Sequence, residues 1–273
     1  MDPKPLLLVG DSYRHAEIYH LTGFLAPDAF ITLEHGSDLI LVASSLEFGR
    51  AQKDSRASAV RNLDEFGLRE LSQQGLRGDE LSAEIIARLL KERGLTDVDV
   101  PRAFPVALAD PLRARGLTLT VRRDLAERRR VKRPDEIAAI EATQRATEEA
   151  WALGVAAIKR ADVAKDGTLV LDGATFTAER LRAVVEGALL ERGVGSPEGT
   201  ICAPGPQAAD PHQEGRGPLR ARESIVMDIY PRSNRTRYYA DMTRTVSKGE
   251  PSAEIVRMYE VVKRAQDAGI AAL

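Results

Sequence analysis

A single cysteine in 273 residues excludes an internal disulfide framework, and no run approaches the roughly 20 consecutive apolar residues that would cross a bilayer. With only 14 Pro and 21 Gly, the chain is neither collagen-like nor low-complexity. Neither sign of charge is in excess. Lys+Arg number 39 against 41 Asp+Glu, so no overall positive field exists to displace counterions from a polyanion. The apolar stretch at residues 6–9 is too short for a secretory h-region and is followed by no small-residue cleavage site. These absences predict a cytoplasmic protein with neither a nucleic-acid nor a membrane partner. What remains, 43% hydrophobic and 29% charged residues, suffices for about two domains with real cores.

The first third has an α/β pattern. Residues 6–9 and 39–42 read as strands, 81–93 as an amphipathic helix, and 117–121, where Leu and Thr alternate, as the domain's last strand. A charged stretch then ends in Lys132-Arg133-Pro134-Asp135-Glu136. The resulting expectation is a domain over 1–124, a basic linker over 125–133 and a second domain over 134–273. Pro134 suits a first helical position and the acids after it suit the helix dipole, so a long helix is expected to about Lys159. Thr177 is a candidate cap for a second helix ending at Gly193. Residues 225–230 and 238–246 are β-rich and should pair as an antiparallel hairpin across the Arg-rich segment 231–237. A last helix is expected from Ser252, with Ile255, Tyr259 and Val262 on one face. It runs uncapped and apolar to Leu273, a pattern that predicts further polypeptide.

Two acids stand out inside the apolar runs, Asp228 between Met227 and Ile229 and Asp241 between Ala240 and Met242. Neighbouring carboxylates in an apolar setting raise each other's pKa unless they share a proton, meet a cation or bind metal. Across strands about 4.8 Å apart, two such acids on one face can touch the same divalent ion. Alternatively, one faces solvent and the other pairs with an arginine. His212 lies in a Gly/Pro-rich loop before the hairpin, where it is either solvated or available for proton transfer or ligation. Cys202 reads as a buried small hydrophobe rather than a nucleophile. No dinucleotide loop, Walker loop, paired Cys-x-x-Cys or nucleophile elbow is present.

Around these residues the sequence resembles the creatinase/prolidase/aminopeptidase P family. Tyr19-His20-Leu21-Thr22-Gly23-Phe24 is similar to its Tyr-Leu-Thr-Gly-Phe segment, and Arg130-Val131-Lys132-Arg133-Pro134-Asp135-Glu136-Ile137 to the entry of its catalytic domain. Asp210-Pro211-His212 resembles its Pro-His loop, and Tyr239-Ala240-Asp241-Met242-Thr243-Arg244-Thr245 its most specific strand motif. The resemblance covers essentially the whole chain. It implies an α/β creatinase-type N-terminal domain followed by an α+β pita-bread domain, present here only in its N-terminal portion. It also implies a homodimer and metal-dependent hydrolysis of short peptides, commonly at Xaa-Pro bonds. Two divalent ions, Mn, Co or Zn, would then be held in part by Asp228 as ligand of one and Asp241 as bridge, with His212 contacting the substrate near the scissile amide.

The chain departs from that pattern in its ligand set. His15, His20, His35 and His212 all precede the Asp pair, and Glu250, Glu254 and Glu260 match no ligand motif. The resemblance therefore places two of five ligands here, too few for tight metal binding, and residues 1–273 alone should be inactive. Asp228 and Asp241 are also thirteen positions apart, about two more than the family pattern, so residues 231–237 form an expanded loop. Two other functions fit a chain of this kind, a non-catalytic pita-bread peptide- or protein-binding module and a metal-independent, creatinase-like amidinohydrolase. Neither requires acids in an apolar hairpin.

Overall fold

Leu6, Leu7 and Leu8 send their side chains alternately to opposite faces of one sheet, and that alternation builds the first part of the molecule. The computed structural model describes residues 4–273, which divide after Lys132 into two compact units. In the first unit, strands β1 (Leu6–Gly10), β2 (Phe30–His35), β3 (Asp38–Ala43), β4 (Ala59–Asn62), β5 (Asp97–Val100) and β6 (Thr118–Val121) form a mixed sheet in the order β4-β3-β2-β1-β5-β6. Strands β1, β2 and β3 run antiparallel in succession, and the β3–β4, β1–β5 and β5–β6 pairs are parallel.

Helices cover both faces of this sheet. Leu7, Leu33, Ile40 and Val42 pack with Ile86 and Leu89 of α4 (Gly78–Glu92) and Leu112 of α5 (Val106–Ala114), while α3 (Leu68–Gln73) adds Leu71. On the other face, Leu6, Leu8, Leu41 and Ala43 meet Ile18 of α1 (Ala16–Thr22) and Ala51 of α2 (Phe48–Asp54). Each leucine removed from water in this way contributes about 1.5–3 kcal/mol. A short helix, α6 (Leu125–Arg128), closes the unit.

The second unit starts with α7 (Pro134–Arg160). Pro134 occupies its first turn, and the Arg133 backbone N–H donates to Glu136 Oε2 at 2.8 Å, which fixes the helix start. A small three-stranded sheet, β7 (Asp162–Val163), β8 (Leu169–Leu171) and β9 (Ala174–Thr175), leads into α8 (Ala178–Glu191). Thr177 Oγ1 accepts the Arg180 N–H at 3.3 Å as the cap of α8. Next come β10 (Val194–Gly195), β11 (Ile201–Pro204), β12 (Ile225–Ile229), β13 (Arg232–Ser233) and β14 (Met242–Val246). Antiparallel strands β11, β12 and β14 form one sheet with β12 central, and β10 pairs with β13.

Helices α7 and α8 lie on one face of the β11-β12-β14 sheet. Their Ala157, Ile158 and Leu181 pack with Cys202, Ile225 and Met227, and Ala150, Val185 and Leu189 with Ile229. The packing is tight at Gly154, where a Cβ would stand 3.0 Å from Val185 Cγ2 and 3.3 Å from Met227 Sδ.

Two elements differ from the sequence expectation. The second hairpin strand, expected over 238–246, is regular only over Met242–Val246, and residues 238–240 carry the same antiparallel register past a break at Asp241: Arg232 bridges Tyr239, the Ser233 N–H donates to the Tyr238 carbonyl and the Ala240 N–H to that of Pro231. The final helix, α9 (Ala253–Ala271), is capped by Ser252 Oγ as expected, but Tyr259 and Val262 on its apolar face are exposed. Among the described residues, no helix is long and apolar enough to cross a membrane.

Candidate active site

Strand β12 separates two environments. Ile225, Met227 and Ile229 are fully buried against the helices, whereas Val226 and Asp228, one position out of phase, are half-buried on the opposite face. The register sets Asp228 opposite Thr243 of β14 and, on the other side, Ile201 of β11. Paired residues share a face, and the Thr243 hydroxyl donates to Asp228 Oδ1 at 2.5 Å. The short contact holds one carboxylate oxygen and leaves the other available.

Asp241 sits two positions before Thr243, just ahead of β14, and is exposed. This corrects the expectation of two acids enclosed by apolar strands: only Asp228 is part-buried within a strand. Partial desolvation, and second the neighbouring Asp228 charge, raise the Asp241 carboxyl above the ordinary carboxylate range. The two carboxylates therefore sense each other. Tyr230, two positions beyond Asp228, has its phenol pushed up by burial and then by the charges of Asp228, Glu214, Glu198 and Asp241. Its hydroxyl donates to the Glu198 carbonyl at 3.4 Å, and that of Tyr239 to Glu198 Oε1 at 3.1 Å.

His212 follows a short 3-10 turn, Gly205–Ala209. Asp210 Oδ1 accepts the His212 backbone N–H at 3.1 Å, a local turn that leaves the residue exposed. The loop is bound back to β11 where the Cys202 N–H donates to the Glu214 carbonyl at 2.9 Å and Arg182 Nη1 donates to the same oxygen at 2.6 Å. At Gly215 the backbone has φ +85°, and a Cβ there would lie 2.1 Å from the Cys202 carbonyl oxygen. Only glycine fits this crossing. Asp241 thus lies within reach of the Asp228 charge, and no hydrogen bond among the described residues links His212 to either. Thr243, Tyr230 and Glu198 were not assigned roles from the sequence. Strict alternation from Asp241 would have put Thr243 on the same face, whereas Glu198 lies in a loop with no periodicity to read.

Two carboxylates and a hydroxyl are hard oxygen donors, the type that suits divalent Mn or Mg better than soft ions. They make a partial donor set. Among the described residues, no group of three or more His, Cys, Asp or Glu is placed to hold one ion. Cys202 lies on the helix-packed face, fully buried, and burial pushes its thiol up to about 12. It is a packing residue.

Residues 138–273 match the profile of Metallopeptidase family M24. The whole chain superposes on the X-Pro aminopeptidase from Thermotoga maritima MSB8 with a TM-score of 0.74 at 20% identity, covering 97% of this chain and 68% of that one. For the prolidase from Pyrococcus furiosus the TM-score is 0.69 at 18% identity, with 97% and 68% covered. For the His350Ala form of Escherichia coli aminopeptidase P it is 0.70 at 16%, with 98% and 64% covered. No curated protein matches the chain. At these identities the superpositions establish the fold, and the chain spans about two-thirds of the length of the structures it matches. Through residues 138–273 the chain belongs to metallopeptidase family M24, with the pita-bread fold of the creatinase/prolidase group.

Proposed function

We propose that this chain carries part of the active site of a metal-dependent peptidase acting on short peptides at Xaa-Pro bonds, with Asp228 and Asp241 as metal ligands. The observation that carries the reading is the position of Asp241 two residues before Thr243, whose hydroxyl holds Asp228 in place, with the Asp228 charge felt at Asp241. A family M24 segment spanning both supports it. A divalent ion bound there would act as a Lewis acid on the scissile carbonyl.

This chain's own residues have three tasks. Asp228 and Asp241 supply negative oxygen donors, and Thr243 orients the first of them. Tyr230 and Tyr239 are held by Glu198 beside the pair and wall that side of the face. His212, on its loop tied to β11, would meet the substrate near the reacting amide. With only two acids and no further ligand group among the described residues, residues 1–273 alone bind metal weakly and do not turn over.

Calorimetric titration of residues 1–273 with Mn²⁺ tests the ligand assignment. The expected isotherm is weak, about 1 mM as for solvent-open carboxylate sites, and Asp228→Asn or Asp241→Asn removes it. Assay of the same chain against Ala-Pro and Ala-Pro-Ala with Mn²⁺ should give no hydrolysis. A tight two-ion isotherm would show further ligands, and heats unchanged in both variants would remove the aspartates from the site.

A further inference from the structure

His212 stands at the tip of a loop whose neck is closed twice. Gln207 Nε2 donates to the Arg216 carbonyl at 2.9 Å while the Arg216 N–H donates to Gln207 Oε1 at 3.0 Å, so a single side-chain amide imitates a strand pair across the loop. Arg182 of α8 then donates to three carbonyls, those of Glu214 at 2.6 Å, Gly215 at 3.3 Å and Thr200 at 3.4 Å, and its side chain is only 16% exposed. Glu179, one turn earlier on the same helix, accepts the Gly217 N–H at 3.1 Å.

We propose that Gln207 and Arg182 are positioning residues for His212, closing the neck of this loop so that the imidazole is held toward Asp228 before substrate binds. The inference rests on the metal-ligand reading of Asp228 and Asp241. Its first support is that the His212 ring has no hydrogen-bond partner among the described residues, so the backbone alone sets its place. Within the tip, the His212 N–H donates to Asp210 Oδ1 and the Gln213 N–H to the Asp210 carbonyl, both at 3.1 Å. That turn fixes the shape of the tip, and its direction is left to the neck.

The second support is location. The Glu214 carbonyl accepts the Cys202 N–H, and Ile201, next to Cys202, is the register partner of Asp228. The returning leg of the loop therefore runs two strand spacings, about 10 Å, from the Asp228 backbone. In accord with this, the Glu214 charge is felt at Tyr230 together with those of Asp228 and Asp241. The third support is how Arg182 uses its charge. Its contact with Glu214 Oε2 is 3.7 Å, beyond a hydrogen bond, and its donors go instead to carbonyls of both legs, Thr200 ahead of β11 and Glu214 and Gly215 on the return. Charge-assisted bonds are roughly twice as strong as neutral ones, and here they fasten the loop to a packed helix.

NMR of the chain titrated with Co²⁺, with Zn²⁺ as the diamagnetic reference, tests the proposal through the pseudocontact shift of the His212 amide, scaled to that of a β12 amide. A held group keeps a defined shift, whereas a swinging one averages toward zero. The wild type should show a His212 shift that Asp228→Asn abolishes, and a His212 order parameter of about 0.85. Gln207→Ala and Arg182→Met should each cut the scaled shift several-fold and bring the order parameter below about 0.6, with β12 unchanged. Arg182→Lys, which keeps the charge but not the fork of donors, should fall between. Gln207 is part-exposed, so Gln207→Ala should retain the wild-type circular dichroism spectrum and remains decisive if Arg182→Met does not fold. A scaled shift and order parameter equal to wild type in either variant would overturn that residue's role while leaving the metal reading intact. Absence of any Asp228-dependent shift in the wild type would overturn the metal reading, and this inference with it.

Discussion

Tyr238 donates its phenolic proton to Glu136 Oε1 at 2.6 Å, joining the segment between the two aspartates to the first turn of α7 across 102 positions of sequence. Glu136 is only 2% exposed, and it also receives the Arg133 backbone N–H and lies 3.3 Å from the Arg133 guanidinium. One buried carboxylate thus serves as helix cap and as anchor for the approach to Asp241.

Removing that phenol should be costly. Tyr238→Phe is expected to lower stability by about 1–3 kcal/mol, the penalty for depriving a buried acceptor of a partner. Urea denaturation followed by circular dichroism measures it. A loss under about 0.5 kcal/mol would show that the bond contributes nothing net.

Cys202 should behave as an inert thiol. With its pKa pushed up to about 12 and no surface exposed, about one in ten thousand molecules would carry a thiolate at pH 8, and that one is out of reach. Ellman's reagent should label none of the native protein within minutes and one equivalent after unfolding. Prompt native labelling would contradict the burial.

Two glycines with similar backbones give an internal comparison. Gly173 (φ +75°) has nothing within 4 Å of a built Cβ, whereas at Gly215 (φ +85°) the Cβ would strike the Cys202 carbonyl oxygen. Gly173→Ala should cost about 1–2 kcal/mol, the left-handed penalty alone. Gly215→Ala should cost about 3–5 kcal/mol and shift the loop that carries His212. Equal losses in denaturant melts would show that the clash is relieved without cost.

Thr243→Val keeps the strand's shape while freeing Asp228 Oδ1. The Mn²⁺ affinity measured by calorimetry should fall several-fold with no change in stability beyond about 1 kcal/mol. Unchanged affinity would show that the hydroxyl does not orient the ligand.

Much of this architecture is written locally. Pro134, Thr177 and Ser252 announce helix starts because a cap and the groups it satisfies lie within a few residues of each other. The alternation through Ile225, Met227 and Ile229 likewise marks which face of β12 is buried, and so where Asp228 must point. Distant partners are another matter. Residues 238–240 pair back on 231–233 in the same register as the hairpin, as their β-prone composition suggests, but the second pairing of Arg232 and Ser233, with Gly195 and Val194 of β10, joins segments almost forty positions apart. No local pattern encodes that pairing. Nor does composition mark the break at Asp241, which lies in the extended run yet outside the strand and is exposed. The apolar side chains of α9 carry a helical period correctly, but periodicity does not say what, if anything, covers them.

The two-sided character of β12 constrains how its gene can change. Met227 and Asp228 are neighbours in sequence with opposite surroundings, one beside Gly154 and the other beside Thr243. Loss or gain of a single codon within the strand would exchange them, pressing a carboxylate against α7 and turning the thioether toward water. Point substitutions can tune either side independently, so drift in this strand should proceed by replacement of letters and almost never by a change in their number.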